Sequence, residues 1–98
     1  MEFEWDDAKA DANARKHGVA FAEAATAFAD PLAAIFSDPD HSDDEVREVL
    51  IGYSDRGRLL IVSFTERSGN IRVISARVAS AGERRDHENN PMGGSGRE

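Results

Sequence analysis

The sequence predicts a small α+β domain with a mostly antiparallel sheet, two N-terminal helices and a short C-terminal helix. Three observations predict it: apolar residues at helical spacing before residue 30, three β-rich runs separated by turn signals between residues 46 and 77, and a fresh helix-capping pattern at Ser80.

Residues 3–5 read as a short first strand. Asp6 is suited to cap a helix whose first turn also carries Asp7, and the helix should run to His17, where Gly18 supplies a left-handed stop. Arg15, Lys16 and His17 then face the negative end of its dipole. A second helix follows, with Phe21, Ala24, Ala25 and Phe28 forming its apolar stripe, and Asp30-Pro31 ends it. Residues 32–36 read as a strand, Ser37-Asp38-Pro39-Asp40 as a turn, and residues 38–45 as an acidic loop.

The run 46–53 alternates, so that Arg47, Val49, Ile51 and Tyr53 share one face while Glu48, Leu50 and Gly52 share the other. Ser54-Asp55-Arg56-Gly57 is a hairpin signal, and 59–64 has the continuous apolar character of a central strand. Ser68-Gly69-Asn70 turns it back into 71–76, completing an antiparallel meander. Ser80 and Glu83 stand three apart, as in a capping box, and open a short polar helix. Residues 1–88 therefore form one domain, and 89–98, rich in Gly and polar residues, read as a disordered tail.

A chain of 98 residues has room for one core and one site, since a domain this small buries only roughly 60 to 65% of its unfolded surface. The absence of cysteine excludes disulfides, thiolate zinc sites and cysteine nucleophiles. An acidic N-terminus and the lack of a long apolar run point to the cytoplasm, with no membrane partner. No cofactor is expected. The net charge of −7 argues against binding nucleic acid, but it is unevenly spread. Residues 1–55 hold 14 acids and 4 bases, whereas 56–98 hold 5 acids and 8 bases. Such an asymmetry suits a protein that offers a basic surface to an anion and keeps an acidic back.

Several phrases, in order, resemble one known family. They are Phe3-Glu4-Trp5-Asp6, Arg15-Lys16-His17-Gly18-Val19, Phe21-Ala22-Glu23-Ala24-Ala25 and Asp30-Pro31-Leu32 in the first half. Asp40-His41-Ser42, Ile51-Gly52-Tyr53-Ser54, Arg58-Leu59-Leu60, Thr65-Glu66-Arg67, Ile71-Arg72, Ile74-Ser75-Ala76-Arg77 and Glu83-Arg84-Arg85 follow. The set resembles the BrnT family of ribonuclease toxins. Two positions depart from it: Asp7 stands where the family commonly has Pro, and His87 where it commonly has Tyr. The resemblance implies a RelE-like fold, with the helices packed on one face of the sheet, and a metal-independent endoribonuclease activity that arrests translation. It also implies a BrnA-like antitoxin with a ribbon-helix-helix region, joined in a heterotetramer that represses its own operon, so that DNA is met only through the antitoxin.

Metal-free RNA cleavage needs a base for the 2′-hydroxyl, an acid for the leaving 5′-oxygen and cations for the phosphorane. His17 is one candidate, with Lys9, Asn13 and Lys16 at spacings that set all four along one side of the first helix as a substrate-binding edge; the same pattern also fits a solvated face. Arg67, Arg77, Arg84 and Arg85 are candidates to clamp phosphate, because guanidinium matches its oxygens in pairs. The competing reading pairs them with Glu66, Glu83, Asp86 and Glu88. Glu66 is either a general base oriented by an arginine or half of an exposed ion pair, and Arg72 either pairs with Glu66 or lines the concave face to bind substrate. His87, beside the arginine pair, is a further substrate-binding candidate. His41 sits among acids that lack the spacing of a calcium loop, so no metal site is expected. Trp5 and Tyr53 read as packing residues.

Two functions compete on this reading: a sequence-relaxed ribonuclease released from its antitoxin, and a catalytically silent module that only complexes a ribbon-helix-helix repressor. A DNA-binding regulator in its own right is disfavoured by the acidity and by the lack of a helix-turn-helix pattern.

Overall fold

Five strands, β1 (Phe3–Glu4), β2 (Ala34–Ser37), β3 (Arg47–Tyr53), β4 (Leu59–Arg67) and β5 (Asn70–Val78), form one sheet in the order β1-β5-β4-β3-β2. Three helices accompany them, α1 (Asp7–His17), α2 (Phe21–Thr26) and α3 (Ala81–Asn89), and a 3-10 turn at Ala27–Ala29 continues α2. The computed structural model describes residues 2–38 and 46–89. Most of the acidic loop, with His41, and residues 90–98 of the expected tail lie outside the described residues.

The local signals at α1 act as read. Asp6 accepts a hydrogen bond from the Lys9 amide, and Gly18 takes φ 70° while its N–H donates to the Ala14 carbonyl. The turn between β4 and β5 is the two-residue Ser68-Gly69, with φ 52° and 84°, the doubly left-handed form that fits the twist of a hairpin. β2, β3, β4 and β5 pair antiparallel in sequence, whereas β1 joins β5 in parallel through Phe3 opposite Ile71.

The core lies between the sheet and α1 and α2. Val19, Phe21, Ala24 and Ala27 pack on Leu50, Leu60, Val62, Phe64, Val73 and Ala76, all buried. Phe28 links the edge of this layer to its centre, edge-on to Phe3 at 5.1 Å and to Phe64 at 5.0 Å. Gly52 is required by close approach: a Cβ there would stand 3.0 Å from the Ala27 carbonyl oxygen and from the Ala33 Cβ.

Asn13 faces this interior rather than solvent. Its amide nitrogen donates to the carbonyls of Val19 and Ala76, both at 2.9 Å, and its oxygen accepts from the Ala76 N–H at 3.1 Å. β1 is too short to pair with β5 as far as Ala76, so a helix side chain completes that stretch of the sheet margin. The expected polar edge of Lys9, Asn13, Lys16 and His17 is corrected accordingly, because its central member is committed to the backbone.

A bulge sets the direction of β5. Ser75 lies opposite Ser63, but Val73, not Ile74, lies opposite Phe64. Strict alternation would have put Arg72 on the face of Ala76; the extra residue turns Val73 and Ile71 into the core and Arg72 out of it.

α3 packs on the other face of the sheet. Leu59 alternates with the core residue Leu60 and so points away from α1 and α2, yet it is only 3% exposed. The cover comes from α3, whose buried His87 ring lies 6.2 Å from Tyr53, the residue paired with Leu59.

Candidate active site

α3 is fastened at its start by a reciprocal cap. The Glu83 amide donates to the Ser80 hydroxyl at 3.1 Å, and the Ser80 amide donates to Glu83 Oε1 at 2.8 Å. The same carboxylate takes a forked bond from Arg77, with Nη1 to Oε1 and Nη2 to Oε2 each at 2.8 Å. Arg77 and the Ser80 amide hold the Glu83 carboxyl down at about 2. A carboxyl depressed in the fold stabilises it fully above its ordinary value of 4.5, and that contribution is lost as pH falls toward 2. The amides of α3 should therefore lose hydrogen-exchange protection across this acid window before those of β4. Glu83→Gln should lower that protection already at pH 7 and remove this part of the acid dependence.

Beyond the cap, Arg84, His87 and Glu88 follow at helical spacings of three and four, so that one flank of α3 carries all three. The Tyr53 hydroxyl donates to Glu88 Oε2 at 3.0 Å. That bond, chiefly, pushes the Tyr53 phenol above its ordinary value, and Arg84 opposes the shift through its charge. Tyr53 is thus a protonated hydroxyl at neutral pH, held against a carboxylate that accepts its proton, with a histidine ring behind the pair. Arg84 and Arg85 are exposed on the same helix and form no ion pair among the described residues.

The other expected site residues are dispersed. Arg67 lies opposite Asn70 and Arg77 opposite Ile61, six residues apart on β4, a separation of about 20 Å. A single clamp of Arg67, Arg77, Arg84 and Arg85 is therefore not formed, and Arg77 is already neutralised by Glu83. Arg72 approaches Glu4 at 3.4 Å rather than Glu66. The register explains it: Arg72 is opposite Thr65, so its neighbour Glu66 projects to the other face, exposed near the end of β4. His17 is half-buried at the end of α1, on the side of the sheet covered by α1 and α2, with no hydrogen bond or ion pair among the described residues. Lys9 and Lys16 are exposed on the same helix.

Two groupings were not anticipated. One is the Tyr53–Glu88 pair, whose helical half was readable in the spacing of Arg84, His87 and Glu88 but whose strand half was assigned to packing. The other ties α2 to the β3–β4 loop. The buried Glu23 carboxylate accepts from Arg58 Nε at 2.9 Å and from the Ser54 hydroxyl at 2.7 Å, while Arg58 Nη2 donates to the Gly18 carbonyl at 3.1 Å. Arg58, and with it Ser54, holds the Glu23 carboxyl below its usual range against the opposing effect of burial. No described residues form a group of three or more His, Cys, Asp or Glu arranged to hold a metal ion.

The architecture resembles a known class, the small α+β ribonuclease toxins. It is similar to the 1.1 Å crystal structure of the Brucella abortus ribonuclease toxin BrnT, with a TM-score of 0.64 and 28% sequence identity, over 82% of this chain and 97% of that one. A family model described as the ribonuclease toxin BrnT of type II toxin-antitoxin systems matches residues 5–83. The chain belongs to the BrnT family, and membership of a type II system implies an antitoxin partner. No match was found among curated proteins.

Proposed function

We propose that this chain is a metal-independent endoribonuclease of RelE-like type that cleaves RNA in the cytoplasm, inhibits translation, and is neutralised by a BrnA-like ribbon-helix-helix antitoxin in a heterotetramer. The observation that supports this reading is the Tyr53–Glu88 pair beside the unpaired cations Arg84 and Arg85. Cleavage proceeds by attack of the RNA 2′-oxygen on the adjacent phosphorus, with loss of the 5′-oxygen. Glu88 takes the 2′-hydroxyl proton, Tyr53 gives its phenolic proton to the leaving oxygen, and His87 holds the phenol in place. Arg84 and Arg85 bind the non-bridging oxygens, where positive charge best offsets the charge that develops in the phosphorane.

Purified protein should cut single-stranded RNA in the presence of EDTA. Tyr53→Phe should slow cutting by about 100-fold or more with the fold retained, in line with the loss of one acid–base group. Replacing Arg84 and Arg85 with Ala should raise KM and flatten the salt dependence, which for wild type should be steep because a chain of net charge −7 has few cations to spare. His17→Ala should leave the rate unchanged. Full activity in Tyr53→Phe, or its loss in His17→Ala, would move the active centre to the other side of the sheet; no cutting by the wild type would make the chain a silent binding module.

A further inference from the structure

β2 is a margin of the sheet, paired on one side only, with β3. The phase of that pairing is set by the Asp38 N–H, which donates to the Arg47 carbonyl. Antiparallel strands alternate inward and outward backbone groups, so Phe36 and Ala34 bond to β3 while the N–H and C=O of Ile35 and Ser37 point off the sheet. The side chains follow the same alternation across the two faces. Ile35, opposite the core residue Leu50, is 54% exposed on the side of α1 and α2, and Phe36, opposite Val49, is 37% exposed on the other.

Sheet margins in solution are ordinarily blunted by Lys, Pro or a covering loop, because an open one captures other chains. β2, Ala-Ile-Phe-Ser, has no charge and no proline, and both faces of the margin are apolar. Its surroundings select the occupant. Asp30, Asp38 and Glu48 border the strand, in the half of the chain that holds 14 acids and 4 bases. A second copy would bring the same carboxylates to the same margin, whereas a cationic chain would be drawn to it.

We infer that β2 is where the antitoxin docks, by adding an extended segment as a sixth strand. The segment alternates apolar residues over Ile35 and Phe36 and carries Lys or Arg at its ends. This rests on the reading that the chain has an antitoxin, and it identifies the surface used.

The test uses the purified product of the reading frame adjacent to this gene, titrated calorimetrically into the full-length chain, together with amide hydrogen exchange. Ile35→Pro removes one outward N–H and leaves the bonds to β3 intact, so it should weaken binding at least tenfold with RNA cleavage unchanged. In the wild-type complex, the Ile35 and Ser37 amides should exchange at least tenfold more slowly than in the free toxin, a readout that does not depend on the variant folding. Tight binding by wild type with unprotected Ile35 and Ser37 amides, or with full affinity in a folded Ile35→Pro, overturns the docking surface and leaves the partner intact. Absence of any wild-type complex overturns the partner reading as well. A free toxin that is dimeric, and becomes monomeric on Ile35→Pro, assigns the margin to a second copy instead.

Discussion

Asn13→Ala should lower the stability of the domain by about 3 kcal/mol, read from the denaturant midpoint at pH 7. The side chain satisfies three backbone groups at once, the carbonyls of Val19 and Ala76 and the N–H of Ala76, at a site that is 7% exposed. Each group left buried without a partner costs about 1 kcal/mol or more. For a domain of this size the melting temperature should fall by roughly 12 to 24 °C. Asn13→Asp should lose as much, since a carboxylate facing two carbonyl oxygens donates to neither. A variant that kept wild-type stability but lost RNA cleavage would instead return Asn13 to the substrate-binding edge first expected of α1.

Glu23→Gln should lower the melting temperature by roughly 5 to 10 °C at pH 7, because the charge-assisted bond from Arg58 and the bond from Ser54 both weaken. The pH profile separates this effect from general damage. The Glu23 carboxyl sits below its ordinary value in the fold, so its contribution is complete above about pH 4.5 and declines as acid protonates it in the native state. Wild type should lose stability as pH falls below that point, and Glu23→Gln should lose less, so the two melting curves converge. A constant gap between them down to pH 3 would remove the ion pair from the account.

What was legible in the residues was local. Asp6, Gly18, Ser68-Gly69 and the Ser80–Glu83 box each act within one turn of chain, so their chemistry determines their geometry wherever the rest of the chain goes. The alternation of β3 was readable for the same reason, and with it the burial of Leu50 and Gly52. Pairing between distant segments was not. The parallel docking of β1, and the side of α1 on which Asn13 is buried, depend on where β5 runs. Arg72 illustrates the sensitivity: the extra residue at Ile74 decides which face it occupies, and a one-position register step separates it from Glu66. The four arginines fell within one stretch of sequence, but a hairpin sends its ends far apart, so nearness along the chain overstated nearness in space. Tyr53 and Glu88, 35 positions apart, came together because α3 folds back across the sheet.

The carboxamide that Asn13 lends to β5 has a consequence for assembly. Strand-by-strand growth requires an acceptor at both borders of a molecule, so that each added unit offers a new place for the next. Here one border is occupied by the molecule's own helix and a two-residue strand, while the other stands open. Such a sheet accepts a single additional strand and then has nothing left to offer, which favours complexes of defined stoichiometry over open-ended fibres despite the apolar character of β2.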